Sequence, residues 1–159
     1  MYLTKKIVIV SVFLFIFITF STCANKENLY SNKSEVSFDV QYLRIGYGPK
    51  QPIYTVISSV NELNQYINNN GNGSYLTDEY SNATKKYTNQ FFNDNFLIIV
   101  FLEEPSGSNR HKVEKIETNG DIVITQIIPE IGTADMATWI IFIELKNSSK
   151  LEQYKVVLK

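Results

Sequence analysis

The segment Phe96–Glu103 (FLIIVFLE) limits the fold of this chain more than any other. Its apolar run is rich in β-branched and aromatic residues and has no polar face. A strand of that kind belongs in the middle of a sheet that is covered on both sides. The rest of the chain must therefore supply neighbouring strands and the covering layers.

Those elements can be read from the pattern. Ser37–Ile45 alternates Phe38, Val40 and Tyr42 with polar residues and then turns apolar, as a strand does. Gly46-Tyr47-Gly48-Pro49 and Pro52 break it, and Ile53–Ile57 forms a second short strand. Ser59 and Glu62 stand three apart as a capping box. Val60, Leu63, Tyr66 and Ile67 then share one helical face up to Asn68–Gly71. Gly71–Ser74 is a flexible loop. Asp78-Glu79 at one end and Lys85-Lys86 at the other suit the dipole of a helix over 78–87. Gln90–Asp94 leads into the apolar strand. After the turn Pro105–Ser108 come Arg110–Thr118 and Ile122–Ile128, joined by Asn119-Gly120, which predicts a type I′ hairpin turn. Ala137–Leu145 places Trp139, Ile141, Ile143 and Leu145 on one face, and Leu151–Leu158 is the last strand. No internal repeat is found. This order implies an α+β fold: a twisted antiparallel β-sheet or open β-barrel of about seven strands, with one or two helices packed on one side.

The N-terminus speaks to location. Lys5-Lys6 precede an uncharged apolar run, Ile7–Phe20, which is closed by Ser21-Thr22-Cys23. That is the layout of a secretory signal peptide, too short for a membrane span of about 20 residues. A cysteine at the junction resembles the lipobox of bacterial lipoproteins, although Phe20 and Thr22 stand where Leu and Gly or Ala are usual. The expectation is a signal peptide over 1–22 and acylation of Cys23 with chains such as palmitate. An ordinary cleaved signal and an uncleaved anchor are the alternatives. Residues 23–35 read as a polar tether and 36–159 as a single domain.

The mature chain of 137 residues carries 13 basic and 16 acidic side chains, with no basic run to attract nucleic acid. Its only cysteine is Cys23, so once that is acylated no thiol is left for a disulfide, a nucleophile or a metal. The fold must be held by its core.

Catalytic signatures are sparse. A Ser-His-Asp catalyst would need His111, the sole histidine, which lies in a strand rich in Lys and Arg and reads as solvent-facing. There is no Gly-Xaa-Ser-Xaa-Gly elbow and no phosphate-cradling loop. His111 with Glu103, Glu104 and Asp135 could offer metal ligands, but no calcium-loop spacing is present. No catalytic residue, metal or cofactor is assigned. Tyr75, Tyr80 and Tyr87 could form a carbohydrate-stacking set. Two loops hold more interest. Ser106, Gly107, Ser108 and Arg110 form one; Asp135, Met136 and Trp139, within Gly132–Trp139, form the other. Arg and Trp are enriched at binding hot spots, although Trp139 reads first as a core residue starting its strand and only second as a surface anchor. The first loop follows Phe96–Glu103 and the second precedes Ala137–Leu145. Antiparallel pairing of those strands would bring the loops to one end of the sheet, with Arg110 near Asp135 or facing a partner's carboxylate.

Residues from about Ile53 to Leu158 also resemble a known family. The likeness lies in Val56–Ser59 with Glu62-Leu63, Phe92–Phe96 before the apolar strand, the turn Ser106-Gly107-Ser108, and Thr133–Thr138 before the next strand. Together these resemble the C-terminal domain of the PrcB family, lipoprotein subunits of a bacterial surface protease complex. The turn is more weakly similar to a loop of chagasin-like protease inhibitors, although no Arg-Pro precedes Trp139 here. The resemblance implies a non-catalytic, lipid-tethered domain that binds a partner. The expected function is thus an outward-facing cell-envelope lipoprotein, membrane-anchored through its lipid, that docks on an exported protease or another envelope protein. The alternatives are an envelope hydrolase acting on wall polymers with paired carboxylates, and a structural or glycan-binding envelope protein.

Overall fold

The computed structural model of the chain describes residues 35–46, 53–70 and 78–159. The signal peptide, Cys23, the tether up to residue 34, the Tyr47–Pro49 turn, Tyr75 and the loop 71–77 lie outside the described residues.

Among the described residues seven strands form two open sheets, and three helices pack beside them in a mixed α+β fold. The strands are β1 (Phe38–Ile45), β2 (Tyr54–Ile57), β3 (Asn95–Glu104), β4 (Arg110–Ile116), β5 (Asp121–Ile127), β6 (Ala137–Lys146) and β7 (Lys155–Leu158). The helices are α1 (Val60–Asn70), α2 (Asp78–Thr84) and α3 (Asn89–Asp94). One sheet runs β1-β6-β3-β2 with every pair antiparallel; the other runs β4-β5-β7, with β7 parallel to β5.

β3 and β6 are the two inner strands of the larger sheet, and both are buried on each face. Phe96, Ile98, Val100 and Leu102 of β3, with Trp139, Ile141, Ile143 and Leu145 of β6, face the smaller sheet. There they meet Val113 and Ile116 of β4, Ile122 and Ile124 of β5, and Tyr154. The alternate residues, Leu97 and Ile99 of β3 and Ile140 and Phe142 of β6, face the helices and meet Leu63, Tyr66, Tyr80, Ala83, Tyr87 and Phe92. The order is helices, sheet, sheet. A strand apolar on both sides requires such layering because each buried face stabilises by about 25 cal/mol per Å² of apolar surface removed from water.

Local signals account for most boundaries. Ser59 Oγ accepts from the Glu62 amide at 3.1 Å, and Glu62 Oε2 accepts from the Ser58 amide at 2.7 Å, closing the start of α1. Several sequence expectations need correction. The predicted helix over 78–87 ends at Thr84, so Lys85 and Lys86 lie beyond it, and Lys86 pairs instead with Glu144 of β6. The lead-in to β3, to which the sequence assigned no element, is the helix α3, and it buries Phe92 against the helix-side core. The last strand is shortened to Lys155–Leu158 by a 3-10 turn at Asn147–Ser149 and a bend at Glu152. The β4–β5 turn is not type I′, which requires positive φ at both central residues. Only Gly120 has positive φ, at 92°. The Gly120 amide donates to Glu117 O at 2.9 Å, and the Glu117 amide to Asp121 O at 3.0 Å. The result is a three-residue loop whose last residue, Gly120, takes the left-handed position.

The tether ends where packing begins. Glu35 bridges to Glu117, and the Val36 amide donates to Ile116 O at 2.8 Å while its side chain packs on the inter-sheet core. A chain starting at Glu35 is therefore expected to unfold at the same temperature as one starting at Cys23. One starting at Phe38 loses a hydrogen bond and a half-buried valine, about 2 kcal/mol, and should melt several degrees lower in a thermal scan. Equal melting of both would show that the edge formed by Val36 adds nothing.

Candidate functional site at the two-loop end

The pairing of β3 with β6 builds the site. Their register sets Leu102 opposite Trp139 and Glu104 opposite Ala137, so the end of one strand lies beside the start of the other. β1 pairs on the far side of β6 with Arg44 opposite Trp139. The loops 105–109 and 128–136 therefore leave the sandwich at the same end, and Arg44 arrives beside them.

They are tied together. The Gly107 amide donates to Asp135 O at 2.7 Å. The Thr133 amide donates to both Ser106 Oγ and Ser108 Oγ, at 3.1 and 3.0 Å, and the Ser108 hydroxyl donates to Thr133 Oγ1 at 3.0 Å. Arg44 clasps both loops, giving its Nε–H to Gly107 O at 3.1 Å and pairing its Nη2 with the Asp135 carboxylate. The Thr133 hydroxyl foremost, then the Asp135 backbone amide and Arg44, hold the Asp135 carboxyl below its ordinary range.

Gly107 is a glycine for want of space. A Cβ there would lie 1.9 Å from Arg44 Nη2 and 2.4 Å from Asp135 Oδ2. Gly107→Ala is expected to expel the Arg44 side chain and part the loops, while the core stays intact. Amide exchange at Gly107 and Thr133 should rise at least tenfold, with a stability loss of about 1–2 kcal/mol. Unchanged exchange would show that Arg44 does not hold the loops.

Arg110 does not meet Asp135, which belongs to Arg44. Its Nη1 donates to Gly107 O and Asn109 O, both at 2.9 Å, and its guanidinium lies 5.4 Å from the centre of the Trp139 ring. Trp139 is only 8% exposed and packs in the inter-sheet core, so of its two readings, core residue and surface anchor, the first describes it. Met136 is 54% exposed.

Beneath the loops lies a polar layer that the sequence reading missed. His111 is not solvent-facing: its side chain is 1% exposed, and its Nε2 lies 2.7 Å from Glu104 Oε1. Glu104, equally enclosed, also accepts from Asn109 Nδ2 at 2.7 Å and Gln126 Nε2 at 2.6 Å. A carboxylate only accepts, so the imidazole presents Nε2–H to it. Its other nitrogen, Nδ1, and the Trp139 indole nitrogen are buried with no hydrogen-bond partner among the described residues, and the two rings meet edge-on at 5.7 Å. Parity could have revealed this layer. Glu104 continues the inward series Phe96, Ile98, Val100, Leu102; His111 is two before inward Val113; Gln126 is two after inward Ile124. A bulge between Val113 and Lys115 then shifts the phase, so that Ile116 also faces in and conceals the pattern.

The layer leaves Glu104 and His111 no open face for a metal, and among the described residues no group of three His, Cys, Asp or Glu side chains is placed to hold one. Glu103 stands apart and exposed. The carbohydrate-stacking set also fails where it can be seen. Tyr80 and Tyr87 are buried against Phe142, and burial, joined at Tyr87 by the Glu144 carboxylate, pushes their phenols up.

No family model, no curated protein and no solved structure matches this chain.

Proposed function

We propose that this protein is an exported lipoprotein, anchored outward-facing in the cell membrane through Cys23, whose non-catalytic β-domain docks on another exported protein, possible partners including a protease. The observation that carries the reading is the pair of loops at one end of the sandwich. They are cross-tied by Ser106, Ser108, Thr133, Asp135 and Arg44, yet they leave Ile128, Ile131 and Met136 exposed. A loop pair ordered in advance loses little conformational entropy on binding. The side chains named from sequence divide by role. Ser106, Gly107, Ser108 and Asp135 set the loop shape, Trp139 supports it from below, and Arg110 and Met136 reach the surface. The likeness to the PrcB family agrees with this reading. The hydrolase alternative draws no support from the sole histidine, which is enclosed with its carboxylate.

Anchoring and docking are tested in one experiment. The full chain, labelled in cells with a fatty-acid analogue, is recovered from the envelope with whatever it binds. Wild type is expected to carry label and co-purify with one exported protein, and Cys23→Ser to lose the label and leave the membrane. Label retained in Cys23→Ser would overturn the lipid anchor. Recovery of wild type without a stoichiometric partner would count against the docking role.

A further inference from the structure

Six large apolar side chains are more than half exposed among the described residues, and four of them lie between residues 127 and 136: Ile127, Ile128, Ile131 and Met136. Ile131 is 88% exposed, the most of any. A single exposed isoleucine is ordinary, but several in one short segment mark a contact surface. The segment is not slack. Thr133 and Asp135, two and four residues beyond Ile131, are bonded to Ser106, Ser108, Gly107 and Arg44. A projecting apolar tip is desolvated by a concave protein surface or by a bilayer.

Charge narrows the occupant further. Arg44 cancels Asp135, and Arg110 is fixed against backbone carbonyls and the Trp139 ring. Glu130, adjacent to Ile131, is exposed, as is Glu103 at the end of β3, and neither has an ion pair among the described residues. A carboxylate beside the apolar tip is repelled by an anionic bilayer and costly to place in hydrocarbon. It is matched by a protein pocket with a basic rim. We propose that Ile131 is the anchor of the docking end, entering an apolar pocket of a partner protein that carries Lys or Arg at the rim facing Glu130. The proposal rests on the docking reading above.

The test places a benzophenone amino acid in the full chain at position 131, 110 or 112 and irradiates intact cells. Lys112, exposed and paired with Glu114 on β4, is the control. Positions 131 and 110 should cross-link to the same protein and 112 should not, with the peptide joined to 131 being apolar beside a Lys or Arg. With that protein purified, Ile131→Asp should weaken binding at least about 30-fold, the scale of a hot-spot side chain. Glu130→Lys should weaken it about tenfold, and Ser148→Asp, exposed in the 3-10 turn beyond the opposite end of β6, should change nothing. A cross-link from 110 without one from 131, or full affinity in Ile131→Asp, overturns the anchor and leaves docking standing. Cross-links from neither overturn both. Adducts to lipid from 131, or binding to phosphatidylglycerol–phosphatidylethanolamine vesicles that Ile131→Asp abolishes, would replace the protein pocket with a bilayer.

Discussion

Glu104→Ala is expected to lower stability by about 3–5 kcal/mol, because it strips the acceptor from three donors at once. His111 Nε2, Asn109 Nδ2 and Gln126 Nε2 converge on that carboxylate from β4, the Ser106–Arg110 loop and β5. Without it His111 and Asn109 lose their partner where they are buried, and half-buried Gln126 loses its own. A loss of this size is a large share of the 5–15 kcal/mol of a typical domain. Glu104→Gln should lose less, since its amide oxygen still accepts from one donor. Urea unfolding of the two variants measures the difference. A loss below about 1 kcal/mol for Glu104→Ala would mean that water reaches the layer. The effect should also be local in kind, because Asn109 is the only one of the three donors that belongs to a binding loop. Arg110 and Gly107 would lose their footing before the inter-sheet core does.

Trp139→Ala is expected to cost about 3–5 kcal/mol, the range for emptying a buried aromatic position. Trp139 fills the space between Leu102 opposite it on β3, the His111 edge and the Arg110 guanidinium. Its indole nitrogen has no partner among the described residues, so Trp139→Phe sacrifices volume but no hydrogen bond seen there and should cost only about 1–2 kcal/mol. Calorimetry on both variants separates a supporting core residue from a surface anchor. An anchor would leave the melting temperature of Trp139→Ala nearly unchanged.

Much of the fold could be read from the chain. The apolar run at Phe96–Leu102 announced a strand with two buried faces, and the spacing of Val60, Leu63, Tyr66 and Ile67 announced a helix. The α+β class and the count of seven strands followed from those signals and their order. The division into two sheets did not. Periodicity reports which face of a strand is apolar, but not which strand lies beside it, and the parallel union of β5 with β7 is a long-range choice. α3 was hidden because Phe91-Phe92 fits a strand as well as a turn of helix.

The site was legible in part. The antiparallel placement of β3 and β6 brings the two loops to one end. The partners of their charged residues were not legible, because Arg44 lies 91 positions from Asp135 and enters only through the β1–β6 register. His111 was misread, and its pairing with Glu104 went unseen, for a more general reason. Charged neighbours such as Lys112 and Glu103 make a segment look solvated, although every second residue of a sandwich strand points inward.

The two-loop end, as the proposed docking surface, is tested most directly by amide chemical shifts of residues 35–159, titrated with whatever protein is recovered alongside the chain. Shifts confined to residues 106–110 and 128–136, with the α1–α2 groove near Asn64, Ser81 and Lys85 unmoved, are the predicted result. Shifts centred on that groove, with the loops silent, would contradict it.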